Sequence, residues 1–179
     1  MKDWNVIITI YQDGYKRALR ALREFGAATG SPYHNVLVMR VADPLALLES
    51  LERRTTEIPA LDDAISRVAP AMANFDFESA DEFRRKAKEM TLEWAPRLAG
   101  RSFHLRFHRR GADCDLPTPE VERFLDDALL EGLRQAGTPG AICFSDPDAV
   151  IAIDTVDNRA GLGLWSLEDL ARHHLLRPD

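Results

Sequence analysis

No run of apolar residues in the chain approaches the ~18–20 needed to cross a bilayer, so nothing in it reads as a membrane span. The N-terminus, MKDWNVIITIYQDG, lacks the basic n-region, extended apolar stretch and small-residue cleavage site of a signal peptide. Cytoplasmic residence is therefore expected. Cysteine is scarce. Cys114 and Cys143 stand 29 positions apart, with neither a CxxC nor a histidine at ligand spacing, which leaves redox and zinc chemistry without a basis. Also missing are a GxSxG elbow, a P-loop, a GxGxxG turn and an HExxH pair, so no reaction can be argued and no cofactor is expected.

What is present is an ordinary soluble composition over 179 residues, long enough for one large or two small domains, with a net charge of −6. The charge is unevenly distributed. From Arg84 to Arg110 there are nine Lys/Arg against two acids, Glu89 and Glu93, a local balance of +7 that leaves −13 for the rest. Such a concentration in an acidic protein suggests one localised polyanion site with repulsive surface elsewhere. Within it, RSFHLRFHRRG (Arg101–Gly111) alternates with a period of two. Phe103, Leu105 and Phe107 fall on one face of a strand, and His104, Arg106, His108 and Arg110 on the other. One face can pack into a core while the opposite face presents cations and imidazoles to an anion.

Along the chain, Trp4–Ile10 reads as a buried strand and Tyr15–Phe25 as a helix with Ala18, Leu19, Leu22 and Phe25 inward. Lys16, Arg17, Arg20 and Arg23 are the more exposed positions of that helix. Asn35–Val41 is a second strand, returning from an arm at Ala27–Gly30, and Asp43-Pro44 opens a helix to about Arg54. Ile65–Phe77 is expected to be a further strand, with Pro70 at an edge or bulge. The order β-α-β-β-α-β is that of a ferredoxin-like half. Ser79–Glu82 is a capping box for a helix to about Trp94, and Thr118-Pro119 opens another over Glu120–Gln135. Asp148–Val156 and Leu162–Trp165 form a hairpin around Asp157-Asn158, and Ser166–Arg172 is a short helix.

The capped helix, WAPRLAG followed by RSFHLRFHRRG, TPEVERFLDDALLEGL, DPDAVIAIDTV and DNRAGLGLW together resemble a THUMP domain, from about Phe75 to Trp165. They look most like the stand-alone THUMP proteins related to the adaptor for tRNA cytidine acetylation. The resemblance implies an α/β (α+β) fold, with a ferredoxin-like N-terminal domain over residues 1–76 and a THUMP domain over 77–179. It also implies an RNA-binding module that engages the acceptor end of tRNA. In many relatives a methyltransferase, thiolation, deaminase or pseudouridine synthase domain is fused to that module. Here both halves are taken up by the binding unit, so no catalytic domain is expected and the chain is expected not to be an enzyme. Its expected partner is tRNA or another structured RNA, presented to a separate modifying enzyme such as an RNA acetyltransferase.

The expected RNA-binding residues are Arg85, Lys86, Arg101, His104, Arg106, His108, Arg109, Arg110, Asn158 and Arg159. Arginine can hold phosphate through two parallel hydrogen bonds, and phosphate contact dominates nucleic-acid affinity. The plainer alternative for the strand and for Arg84–Lys88 is a charged, solvated surface. For Asn158-Arg159 it is turn chemistry, since Asn tolerates left-handed backbone. His104 and His108 do not suggest zinc, because four residues on a strand separate them by ~13 Å. Glu120, Glu122, Asp126, Asp127 and Glu131 are expected on a solvated helix face, while Trp94, Phe103, Phe107 and Trp165 are expected in the core. The runner-up function is a protein-interaction scaffold that keeps the fold without binding RNA; a small nucleotide-acting enzyme comes third. A net charge of −6 implies modest RNA affinity unless a partner supplies basic surface.

Overall fold

The computed structural model describes residues 2–111 and 113–178, which divide into two compact units. The first comprises the chain up to Met72 together with Leu170–Arg177; the second is Ala73–Asp169 with the last two residues.

The first unit runs β1 (Val6–Ile10), α1 (Tyr15–Leu22), β2 (Ala28–Gly30), β3 (Val36–Met39), α2 (Pro44–Glu57), α3 (Pro59–Asp62) and β4 (Ile65–Pro70). Its sheet is antiparallel in the order β2-β3-β1-β4, the ferredoxin-like arrangement. β1 has strands on both sides, pairing Ile8 with Leu37 and with Val68, and its apolar run is buried accordingly. Pro44 fixes the first turn of α2, and the Asp43 carboxylate accepts hydrogen bonds from the Leu45 and Ala46 amides at 3.0 Å. Gly14 precedes α1 where the backbone passes too close to Ala64 for any side chain: a Cβ there would lie 2.4 Å from the Ala64 carbonyl oxygen.

Residues 170–177 return to complete this unit. Val68 N–H donates to the Leu175 carbonyl at 2.9 Å, along the free edge of β4. Glu52 on α2 holds the same segment, accepting from the Leu175 amide at 3.0 Å and lying 2.7 Å from His173 Nδ1.

The second unit contains β5 (Ala73–Asp76), α4 (Ala80–Glu93), a 3₁₀ turn (Ala95–Leu98), β6 (Ser102–His108), α5 (Thr118–Gln135), β7 (Ala141–Ile142), β8 (Ala149–Val156), β9 (Arg159–Ser166) and the start of α6 (Leu167–Arg172). Its sheet order is β5-β9-β8-β6-β7. β6 runs parallel to β7 and β8, as it must when α5 supplies the crossover, while β8–β9 and β5–β9 are antiparallel. Phe75, Phe77, Phe83 and Phe107 meet edge-on or tilted at 5.0–6.0 Å between ring centres. Val121, Leu125, Leu129 and Leu133 recur every four residues on α5 to close the core over Phe103 and Leu105.

The continuous strand expected over Ile65–Phe77 is two strands in different sheets, β4 and β5. Proline cannot donate to a ladder, so Pro70 ends β4, and the units divide between Met72 and Ala73 rather than after Asp76. The C-terminal segment likewise belongs to both units rather than to the second alone.

Candidate nucleic-acid interface

β6 is paired with β8 from Phe103, opposite Ala149, to His108, opposite Asp154. Its inward face is apolar. Its other face shares a surface with Val150 and Ala152 of β8 and Trp165 of β9, all buried, so His104, Arg106 and His108 do not form an open cationic face. Gly163 makes this packing possible, because a side chain there would overlap the Trp165 ring at about 2.5 Å. Alternation correctly separated the two faces of the strand. It could not show that the second face is largely buried too, with Arg106 and His108 only partly exposed.

His104 is 1 % exposed, its Nδ1 lying 2.7 Å from the Cys143 carbonyl and its ring tilted against Phe144, so it is placed as a buried residue rather than a phosphate contact. His108 Nε2 is in hydrogen-bond contact with the Pro178 carbonyl. Arg109 is exposed but folds back on its own loop, donating to the Gly111 and Cys114 carbonyls at 2.9 and 3.2 Å. Arg110 pairs with the buried Asp154 carboxylate at 2.9 Å. Arg159 donates to Asp76 at 2.8 Å, bridging the β5–β9 pair.

On α4, Arg85 faces Glu89 at 3.0 Å, and Lys86 reaches Glu82 at 2.7 Å and the Asp76 carbonyl at 2.6 Å. Asn158 accepts from the Asp113 amide at 3.0 Å, and it is Asp157, not Asn158, that takes the left-handed backbone of the turn (φ 53°). Arg101 is exposed. With Lys88 and Arg97 it makes no ion pair or side-chain hydrogen bond to the described residues.

The α5 acids are not simply a solvated face. β7 pairs with only Ser102 and Phe103, leaving the rest of that β6 edge open. Glu122 fills part of it, accepting from the Phe107 amide at 2.9 Å, and Asp126 accepts from the Leu105 amide. Two side chains thus substitute for a strand. Burial pushes the Asp126 carboxyl up to about 7; the nearby Glu122 and Asp127 act in the same direction, while the Leu105 amide and Arg106 oppose it.

Sequence reasoning passed over the helix with the least compensated charge. Lys16, Arg17, Arg20 and Arg23 are all exposed, and none meets an acid among the described residues. Their spacing was legible; it was outranked by the denser cluster further along.

No protein-family model matches the chain, and no curated protein sequence does. Solved structures do share its fold. PH1313 from Pyrococcus horikoshii Ot3 superposes on 90 % of this chain and 54 % of its own, with a TM-score of 0.58 and 15 % identity. TrmN from Thermus thermophilus covers 89 % of this chain with 44 % of its own, at a TM-score of 0.52 and 20 % identity. A 4-thiouridine synthetase, in a complex with RNA and bound ATP, covers 90 % with 41 % of its own length, at 0.53 and 11 %. The chain is therefore a mixed α/β protein with a fold found in these larger proteins, and it spans about half or less of their length. None of the described helices is long and apolar enough to cross a membrane.

Proposed function

We propose that this chain binds structured RNA, with tRNA as its target, and presents it to a separate modifying enzyme such as an acetyltransferase. The observation that carries the reading is the fold shared, over 90 % of the chain, with a synthetase whose structure includes RNA. The THUMP-like pattern from Phe75 to Trp165 points to tRNA as the RNA class. The adaptor role rests on the resemblance of that pattern to stand-alone THUMP proteins. Lys88, Arg97, Arg101 and Arg123 are exposed cations of the second unit without an ion pair among the described residues, and phosphate contacts from such cations position an RNA without reading its sequence.

The second unit, however, holds twelve Lys/Arg against twenty Asp/Glu, and this favours the alternative of a protein-docking scaffold. Binding of tRNA and of a duplex of equal length, measured at two salt concentrations, separates the two. RNA binding predicts salt-sensitive affinity with tRNA preferred. Affinity absent at both salts leaves the scaffold. Nucleoside mapping after incubation of the protein alone with unmodified tRNA and common group donors should show no new modification; a stoichiometric one would replace the adaptor by an enzyme.

A further inference from the structure

We propose that the exposed face of α1 is the main RNA-contacting surface of the chain, binding the phosphate backbone of a segment with unpaired bases. This rests on the RNA-binding reading above and assigns it to a different place from the basic stretch at Arg84–Arg110. The sequence YKRALRAL, continued by Arg23, places four cations within eight residues and no acid among them. At 100° per residue, Lys16, Arg20 and Arg23 lie within about 60° of one another and Arg17 about 60° further round. Ala18 and Leu22, both fully buried, lie on the opposite side. The cations therefore share one solvent-facing arc.

That arrangement costs the fold something. Like charges at i,i+3 and i,i+4 each destabilise a helix by about 0.2–0.5 kcal/mol, and cations early in a helix oppose its dipole. No acid in the first turn offsets this. The acid that follows in sequence, Glu24, is engaged elsewhere, bonded to Arg54 at 3.0 Å, and Arg54 also approaches Glu57. The four charges remain without an ion-pair partner among the described residues, in a protein whose total is −6. A polyanion supplies the missing countercharge.

Two aromatic residues select among polyanions. Tyr11, directly after β1, and Tyr15, the first residue of α1, are 44 % and 40 % exposed, large values for aromatic rings. The Tyr15 hydroxyl reaches the end of β2, within 3.0 Å of where a Gly30 Cβ would be, and Arg177 donates to the Tyr11 hydroxyl at 3.3 Å. Exposed rings beside unneutralised cations suit a strand whose bases can stack while its phosphates are held. An acidic protein segment would use the cations and leave the rings idle.

The test is titration of the full chain with an RNA hairpin bearing a single-stranded overhang, and with the same hairpin blunt-ended. Alanine at Lys16, Arg17, Arg20 and Arg23 together raises helix propensity, so the variant is expected to fold, which circular dichroism checks. It should lose about a hundredfold in affinity near 0.1 M salt and flatten the log–log salt dependence by about 3. A control with Arg85, Arg134 and Arg172 replaced by alanine removes cations already ion-paired and should change the slope by less than about 1. Leucine at Tyr11 and Tyr15 should reduce the preference for the overhang at least fivefold. Unchanged affinity and slope in the folded α1 variant, with the wild type binding, overturns this assignment alone. Failure of the wild type to bind any RNA overturns the RNA reading as well.

Discussion

On α1, four cations occur in eight residues and none finds an acid among the described residues. Between Arg84 and Arg110 there are nine, yet the fold brings acids or carbonyls to Arg84, Arg85, Lys86, Arg109 and Arg110, and half-buries Arg106 near Asp126. The denser cluster is thus the more neutralised. Local charge density along a sequence measures only one side of an electrostatic balance. The compensating side comes from Asp154, from Asp81, Glu82 and Glu89 around α4 and from Asp126 on α5, some of them tens of residues away.

The comparison breaks most readily at Arg110. Replacing it with alanine removes the ion pair of the Asp154 carboxylate, which is 4 % exposed, and should cost on the order of 3–5 kcal/mol in chemical denaturation. The salt slope for RNA should stay within about 1 of the wild type, the reverse of the α1 variant. A stable Arg110→Ala protein with a collapsed slope would return the interface to the basic stretch.

Asp126 sharpens the contrast through pH. Its carboxyl is raised to about 7 from 3.8, so the folded chain holds a proton that the unfolded chain releases. Its contribution to stability is fully present below pH 3.8 and is lost as the pH rises through about 7. Asp126→Asn should remove up to about 4 kcal/mol of this decline between pH 4 and 7, while α1 variants keep the wild-type profile. Equal profiles for wild type and Asp126→Asn would refute the raised value.

A smaller effect is expected at Glu122. Alanine there leaves the Phe107 amide without its acceptor and should cost about 1–3 kcal/mol, with faster exchange of that amide in hydrogen-exchange measurements. The least is expected at Arg85, whose exposed pair with Glu89 should contribute under about 0.5 kcal/mol, measured by thermal melting of Arg85→Ala.

Much of the architecture was written in local signals. The Asp43-Pro44 and Ser79–Glu82 caps start α2 and α4 where expected, because capping depends on a few adjacent residues. α3, four residues behind Pro59, and β7, two residues, were missed because neither is long enough to show a period. The interface was less legible. His104 sits on the polar side of an alternating strand, yet only the pairing of β6 with β8, and of β8 with β9, distant in sequence, sets it beside buried apolar neighbours. Glu122 and Asp126 read as solvated helix positions until α5 is laid against an unpaired strand edge.

The return of Leu170–Arg177 to the first unit has a consequence for biosynthesis. A ribosome delivers β1 to β4 first, but β4 has no neighbour on its outer edge, and Glu52 lacks two of its partners, until the segment after Asp169 emerges. The second unit is contiguous from Ala73 to Asp169 apart from the last two residues, where the Pro178 carbonyl meets His108, so nearly all of it is available before that segment emerges. The order of folding should therefore invert the usual N-terminal-first sequence, with an open strand edge exposed during translation. Brief proteolysis of chains stalled with Asp169 just outside the tunnel should cut the residues up to Met72 while sparing Ala73 onward; equal protection of both would show that the first unit is complete without its last segment.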